Sequence, residues 1–120
     1  LAHPEKRVTA VCGDGEFWYG NASELETLKR LEMPVTIVIS NNGVFGNMLN
    51  RQKKKLGERF IGTRIANPDF SLLAKSFDMH SEKVIKPNEL APALQRAWQS
   101  GRPALIDVHT DPFASMLIGR

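Results

Sequence analysis

Val8-Thr9-Ala10-Val11-Cys12 running into Gly13-Asp14-Gly15, and Val35-Thr36-Ile37-Val38-Ile39 running into Ser40-Asn41-Asn42-Gly43, are the stretches whose reading decides the fold. In the first, β-prone residues stop at Gly-Asp-Gly, the pattern of a buried strand ended by a turn. The second is nearly continuous and β-branched, as expected of a strand covered on both faces in a parallel sheet. Between them, Asn21-Ala22-Ser23-Glu24 reads as a variant capping box, with Asn21 accepting from the Glu24 amide and the Glu24 side chain reaching back. The helix that follows carries Ala22, Leu25, Leu28 and Leu31 at helical spacing, with Glu24, Glu26, Lys29 and Arg30 on the wet face. Pro34 bars its continuation. Strand, helix and strand make one βαβ unit.

Outward from this unit the alternation continues. Pro68-Asp69 opens a helix through Phe70, Leu72, Leu73, Ala74 and Phe77, and His80 to Ile85 reads as a short strand. Pro87 and Asn88 introduce a helix with Leu90, Ala93, Leu94, Ala97 and Trp98 inward, stopped by Gly101 and Pro103. Ala104-Leu105-Ile106-Asp107-Val108 supplies a last strand. The expected class is an α/β layer fold with a mostly parallel sheet flanked by helices. No internal repeat, low-complexity tract or linker divides residues 1–120, so one domain is expected.

Bulk properties set the outer limits. With 120 residues and 42% hydrophobic content, folding removes roughly two-thirds of the unfolded chain's surface from water. A net charge of +3 suits a phosphate-bearing ligand but equally an ordinary surface. The single cysteine, Cys12, excludes an internal disulfide and a cysteine-based zinc site, and favours a reducing compartment. No apolar run approaches the roughly 20 residues needed to span a bilayer. A soluble, cytoplasmic protein with neither membrane nor nucleic-acid partner is the expectation.

Chemistry concentrates in the two loops after the first strands. A right-handed βαβ crossover brings both loops out on one edge of the sheet, the edge where open α/β sheets bind ligands. Asp14 and Asn41 both sit there. A hard cation such as Mg²⁺ prefers carboxylate, amide and carbonyl oxygens and leaves other positions to water and phosphates. Gly13 and Gly15 leave no Cβ to obstruct a diphosphate, amides after Asp14 can donate to its oxygens, and Gly43 frees the second loop.

Gly13-Asp14-Gly15, with Asn41-Asn42 placed so that Asn41 follows Asp14 by 27 positions, resembles the cofactor signature of thiamin-diphosphate-dependent enzymes. The similarity extends through Ser23-Glu24-Leu25-Glu26-Thr27, Pro34-Val35, Asn67-Pro68-Asp69-Phe70 and Gly101-Arg102-Pro103-Ala104-Leu105-Ile106, and is greatest to the acetolactate-synthase branch. The resemblance implies that the Asp14 and Asn41 side chains and the Gly43 carbonyl bind Mg²⁺, which bridges to the cofactor diphosphate. It implies that Gly13, Gly15, Glu16 and Val44 also belong to the cofactor site. Glu16 stands where the family often has a small hydroxyl residue, and Trp18 and Tyr19 stand where relatives are often aliphatic or methionine. Relatives act on 2-oxo acids as decarboxylases or carboligases, lyases or transferases. They take an activating glutamate from a pyrimidine-binding domain, usually on another subunit of a homo-oligomer. No such domain fits in 120 residues, so the resemblance implies a fragment or one piece of a larger assembly, inactive by itself.

Plainer readings stand beside these. Asp14 alone is an ordinary turn aspartate, and Asn41-Asn42-Gly43 alone an ordinary turn. A non-catalytic phosphate- or nucleotide-binding module would use the same loop, yet no Gly-Lys-Ser/Thr follows it, and Trp18 stands at the third glycine of a dinucleotide fingerprint. Arg51, Lys53, Lys54 and Lys55 read as a solvated helix face, or as a basic interaction module. His3, His80 and His109 lack ligand spacing and are taken as structural or surface residues. Cys12 is taken as a small buried apolar residue. Phe113, Met116, Leu117 and Ile118 read as a closing segment that docks on the core or on a neighbouring domain.

Overall fold

The computed structural model describes residue 3 and residues 5–57 and 59–113. Strand β1 (Val8–Gly13) passes directly into a single turn, α1 (Asp14–Glu16), and a π-helical turn, Phe17–Asn21. Then come α2 (Glu24–Arg30), β2 (Val35–Asn41), α3 (Gly46–Leu56), α4 (Phe70–Ser76), β3 (His80–Val84), α5 (Pro87–Gln99) and β4 (Ala104–His109). The four strands form one sheet in the order β1-β2-β4-β3, and every pairing is parallel. The expected α/β class and all four expected strands are therefore present.

Two apolar layers sandwich β2 and β4. On one face Phe17, Leu25, Leu28, Phe70 and Ala74 pack against Ile37, Ile39 and Leu105. On the other, Ala93 and Ala97 of α5 pack against Ala104, Ile106 and Val84. The β-branched run of β2 is thus buried from both sides, as its composition demands. Strand β1 differs from expectation: it is the sheet edge, and Val8 and Val11 are 51% and 72% exposed. Its apolar run satisfies β pairing on one side only, with β2.

Local expectations are corrected at two places. The segment between Gly15 and Ser23 is not a loop but a continuation of helix through the π turn, where Gly20 alone leaves helical geometry. Helix α2 begins at Glu24, with Ser23 at the N-cap and no cap bond from its side chain; the expected Asn21 box rests on a side chain outside the described residues. Leu31, expected on the apolar face of α2, is exposed just past the end of that helix. Met116, Leu117 and Ile118 lie outside the described residues. Phe113 is exposed, with the Lys53 ammonium 5.4 Å from its ring centroid.

Helix α4 starts where the sequence places it. The Asp69 carboxylate caps it by accepting from the Ser71 and Leu72 amides, and it also pairs with Lys83 Nζ at 2.8 Å. The Lys83 and Ser71 hydrogen bonds hold its pKa well below the usual carboxylate range. A depressed folded-state pKa contributes stability above the unfolded value, near pH 4, and that contribution is lost as pH falls further. Asp69→Ala should cost about 1 kcal/mol at neutral pH. In denaturant titrations the gap between the two proteins should shrink below about pH 4; a pH-independent gap would contradict the capping account.

Candidate functional site

Because β1 and β2 are adjacent and parallel, Gly13 lies level with Ser40, and the residues after each strand meet at the carboxyl edge. Asp14 is the first residue of α1 and is 2% exposed; Asn41 is the last of β2 and is 8% exposed. Both are polar groups buried at a strand end, where each must find partners.

Those partners form one network. Asp14 Oδ1 accepts from the Gly15 amide at 2.9 Å, and Oδ2 accepts from the Gly43 amide at 2.8 Å. Asp14 Oδ2 and Asn41 Oδ1 also share a donor: Asn67 Nδ2, at 2.6 and 2.9 Å respectively. On its other side Asn41 Nδ2 donates to Asp107 Oδ1 at 2.9 Å. Asp107 is fully buried; among the described residues its Oδ2 has no hydrogen-bond partner, and it lies 3.4 Å from His109 Nε2. Two oxygens served by one amide nitrogen are close neighbours, so the expected meeting of Asp14 and Asn41 is present in the fold.

The second loop is shaped for this approach. Gly43 has φ +68, a conformation that favours glycine, and Asn42 Oδ1 accepts from the Val44 amide. The Gly43 carbonyl, expected to face a cation, accepts from the Ile65 amide at 2.9 Å. A carbonyl has two lone pairs, so this bond leaves it one acceptor site. Val44 bridges Arg64, which ties the loop to the segment after α3.

Gly13, Asp14, Gly15, Glu16, Asn42 and Val44 border an open cleft of about 690 Å³, together with the first turn of α3. The amides and positive end of that helix favour an anion there. Glu16 faces the same cleft, and its Oε2 accepts from the Gly13 amide at 3.4 Å. Cys12 is half-buried, packed against the core cluster and bordering the cleft, and burial, then the Glu16 and Asp14 carboxylates, raise its thiol pKa, which favours the less reactive thiol form. Lys53, Lys54 and Lys55 lie in the last turn of α3, exposed, as expected of a solvated face.

The two glycines of the first loop differ in what they make room for. An added Cβ at Gly13 would meet nothing within 4 Å, whereas one at Gly15 would come within 2.5 Å of Phe45 Cε1 and 3.1 Å of Ile65. Gly15 makes room for the Phe45 ring as the second loop folds over the first. Gly15→Ala should therefore cost about 1–3 kcal/mol by overpacking, read by denaturant unfolding; a neutral substitution would show that the ring swings away freely.

Asn67 and Asp107 were missed as site residues in the sequence. A carboxylate inside the apolar run of β4 is itself a signal, since Asp is almost never fully buried unpaired. Asn67 gave only its place in Asn67-Pro68-Asp69-Phe70.

A parallel α/β sheet that brings the Asp14 carboxylate, the Asn42 carboxamide and a helix N-terminus to an open cleft at its carboxyl edge has the form of a cofactor-binding domain of the phosphate-anchoring kind. Residues 1–108 match the family described as thiamine pyrophosphate enzyme, C-terminal TPP binding domain, and the chain belongs to that family. It is 35% identical to the acetolactate synthase large subunit IlvG of Mycobacterium tuberculosis over 93% of its length and 20% of that protein's. It is 33% identical to the acetolactate synthase isozyme 2 large subunit of Escherichia coli, over 92% of the chain and 20% of that protein. The thiamine diphosphate-dependent 4-hydroxybenzoylformate decarboxylase of Rhodococcus jostii RHA1 superposes with a TM-score of 0.82 at 29% identity, over 92% of this chain and 21% of that one. The chain thus spans about one-fifth of the relatives it matches.

Proposed function

We propose that this segment anchors thiamin diphosphate through Mg²⁺, as part of a 2-oxo acid decarboxylase or carboligase of the acetolactate-synthase kind. The observation that carries the reading is the shared donor: Asn67 Nδ2 bonds both Asp14 Oδ2 and Asn41 Oδ1, so a carboxylate and an amide oxygen 27 positions apart point to one place. One carboxylate and one amide oxygen are a sparse set, which suits Mg²⁺, an ion that keeps waters and draws further oxygens from phosphates. The Gly43 carbonyl retains a lone pair for the same ion, and the Gly15, Glu16 and Val44 backbone, with the first turn of α3, borders the cleft where a diphosphate would lie.

When bound, thiamin diphosphate supplies the carbanion stabilisation that C–C bond cleavage and ligation require. The chain's own residues hold and orient the charged end of the molecule. A pyrimidine-binding domain, from the same or another subunit of a homo-oligomer, would complete the site around a small 2-oxo acid. Calorimetry of the intact protein with thiamin diphosphate in Mg²⁺ and in EDTA tests the reading. Binding that is strong in Mg²⁺ and largely lost in EDTA is expected; equal affinity in both would refute the metal bridge.

A further inference from the structure

Asn67 is held by more contacts than a loop asparagine needs. It precedes Pro68, which restricts its backbone to extended conformations, and Asp69 caps α4 two residues on. Phe70, in the first turn of α4, is fully buried, so the segment is pinned to the core. Trp18 packs its ring 5.6 Å from Phe70 and donates Nε1–H to Asn67 Oδ1 at 2.9 Å.

That last bond fixes the orientation of the amide. An indole nitrogen only donates, so the atom facing it must be Oδ1, and the NH₂ group must face Asp14 and Asn41. Both of its hydrogens are then used, one on Asp14 Oδ2 at 2.6 Å and one on Asn41 Oδ1 at 2.9 Å. Asp107 completes the arrangement by accepting from Asn41 Nδ2, so the Asn41 amide is gripped at both ends. Asn67 and Asn41 do not border the cleft that Asp14 opens onto. Asp14 is thus the member of the pair that borders the cleft, and Asn67 bonds it from outside the cleft's lining.

We propose that Asn67, locked by Trp18, is a positioning residue that holds the Asp14 carboxylate, the member of the pair that borders the cleft, beside Asn41 before a cation arrives. The role rests on the cation-bridged reading of the site. Without the amide, a carboxylate oxygen and a carboxamide oxygen face each other with no donor between them, and only the Gly15, Gly43 and Asp107 contacts are left to hold the two groups. Outer partners that orient ligands in this way typically account for about 10–100-fold in metal affinity.

The test uses the intact protein, with MgCl₂ and thiamin diphosphate as probes. Thiamin diphosphate affinity is measured by calorimetry in Mg²⁺ and in EDTA for the native protein and for Asn67→Ala. The variant should lose about 10–100-fold in Mg²⁺ and keep its affinity in EDTA. Equal losses in both media, or no loss in either, would mean that Asn67 only packs, and would overturn the proposal.

Asn67→Asp keeps the shape but sets a carboxylate against Asp14. Its melting temperature should fall below the native value in EDTA, and Mg²⁺ should restore it, so the Mg²⁺-induced rise should exceed the native one. A rise no larger than the native one also overturns the proposal, and this measurement decides the matter alone if Asn67→Ala does not fold. A native protein whose affinity ignores Mg²⁺ would instead sink the cation-bridged reading itself, which separates the two failures.

Discussion

Asp14→Ala, made in the intact protein, should reduce Mg²⁺-dependent affinity for thiamin diphosphate by at least about 100-fold, the upper end of what outer partners of a metal site cost. In free energy that is about 2.7 kcal/mol or more. The expectation follows from what the carboxylate does at once: it accepts the Gly15 and Gly43 amides, which tie the two loops together, and it faces the position shared with Asn41. Asn41→Ala should cost less, because it removes a neutral oxygen, yet its loss should also be confined to Mg²⁺-containing buffer. Calorimetry in Mg²⁺ and EDTA separates the effects. Affinity within a few-fold of native for both variants would remove the assignment of the site.

The second large effect lies in the core. Phe70 is fully buried and meets the Phe17 ring edge-on at 5.3 Å between centroids, with Trp18 tilted over it at 5.6 Å. Phe70→Ala should destabilise the domain by about 3–5 kcal/mol, the usual cost of an aromatic cavity. Denaturant unfolding followed by tryptophan fluorescence measures it. A cost below about 1 kcal/mol would mean that the layer over β2 and β4 collapses to fill the space, and that Trp18 is not braced by Phe70. Since Trp18 in turn holds Asn67, the same variant should weaken Mg²⁺-dependent cofactor binding under conditions where it stays folded.

What was legible in the sequence was local or periodic. Val35 to Ile39 announces a doubly covered strand because its branched run has no polar face, and Asp14 and Asn41 are brought together by a crossover whose hand is fixed. The edge position of β1 was not legible: Val8 to Val11 is as apolar as a central strand, and strand order depends on which element pairs with which. The bounds of helix α3 are not legible because its basic run dominates its pattern, although that run reads as a helix face.

The same limit applies within the site. Asn67 reaches Asp14 across 53 positions and Asp107 reaches Asn41 across 66, and no spacing rule links residues so far apart. Gly15 was correctly singled out but for a different reason, since its missing Cβ is filled by Phe45, which only the folded loops reveal. A chain read one residue at a time shows ligand types well and shows the groups that aim them poorly.

Anomalous diffraction from crystals of the intact protein grown with thiamin diphosphate and Mn²⁺ in place of Mg²⁺ tests the central claim most directly. A single manganese peak within bonding distance of an Asp14 carboxylate oxygen and Asn41 Oδ1, and in contact with the cofactor's diphosphate, is the predicted result. Cofactor bound in the cleft with the manganese held by neither side chain would contradict it.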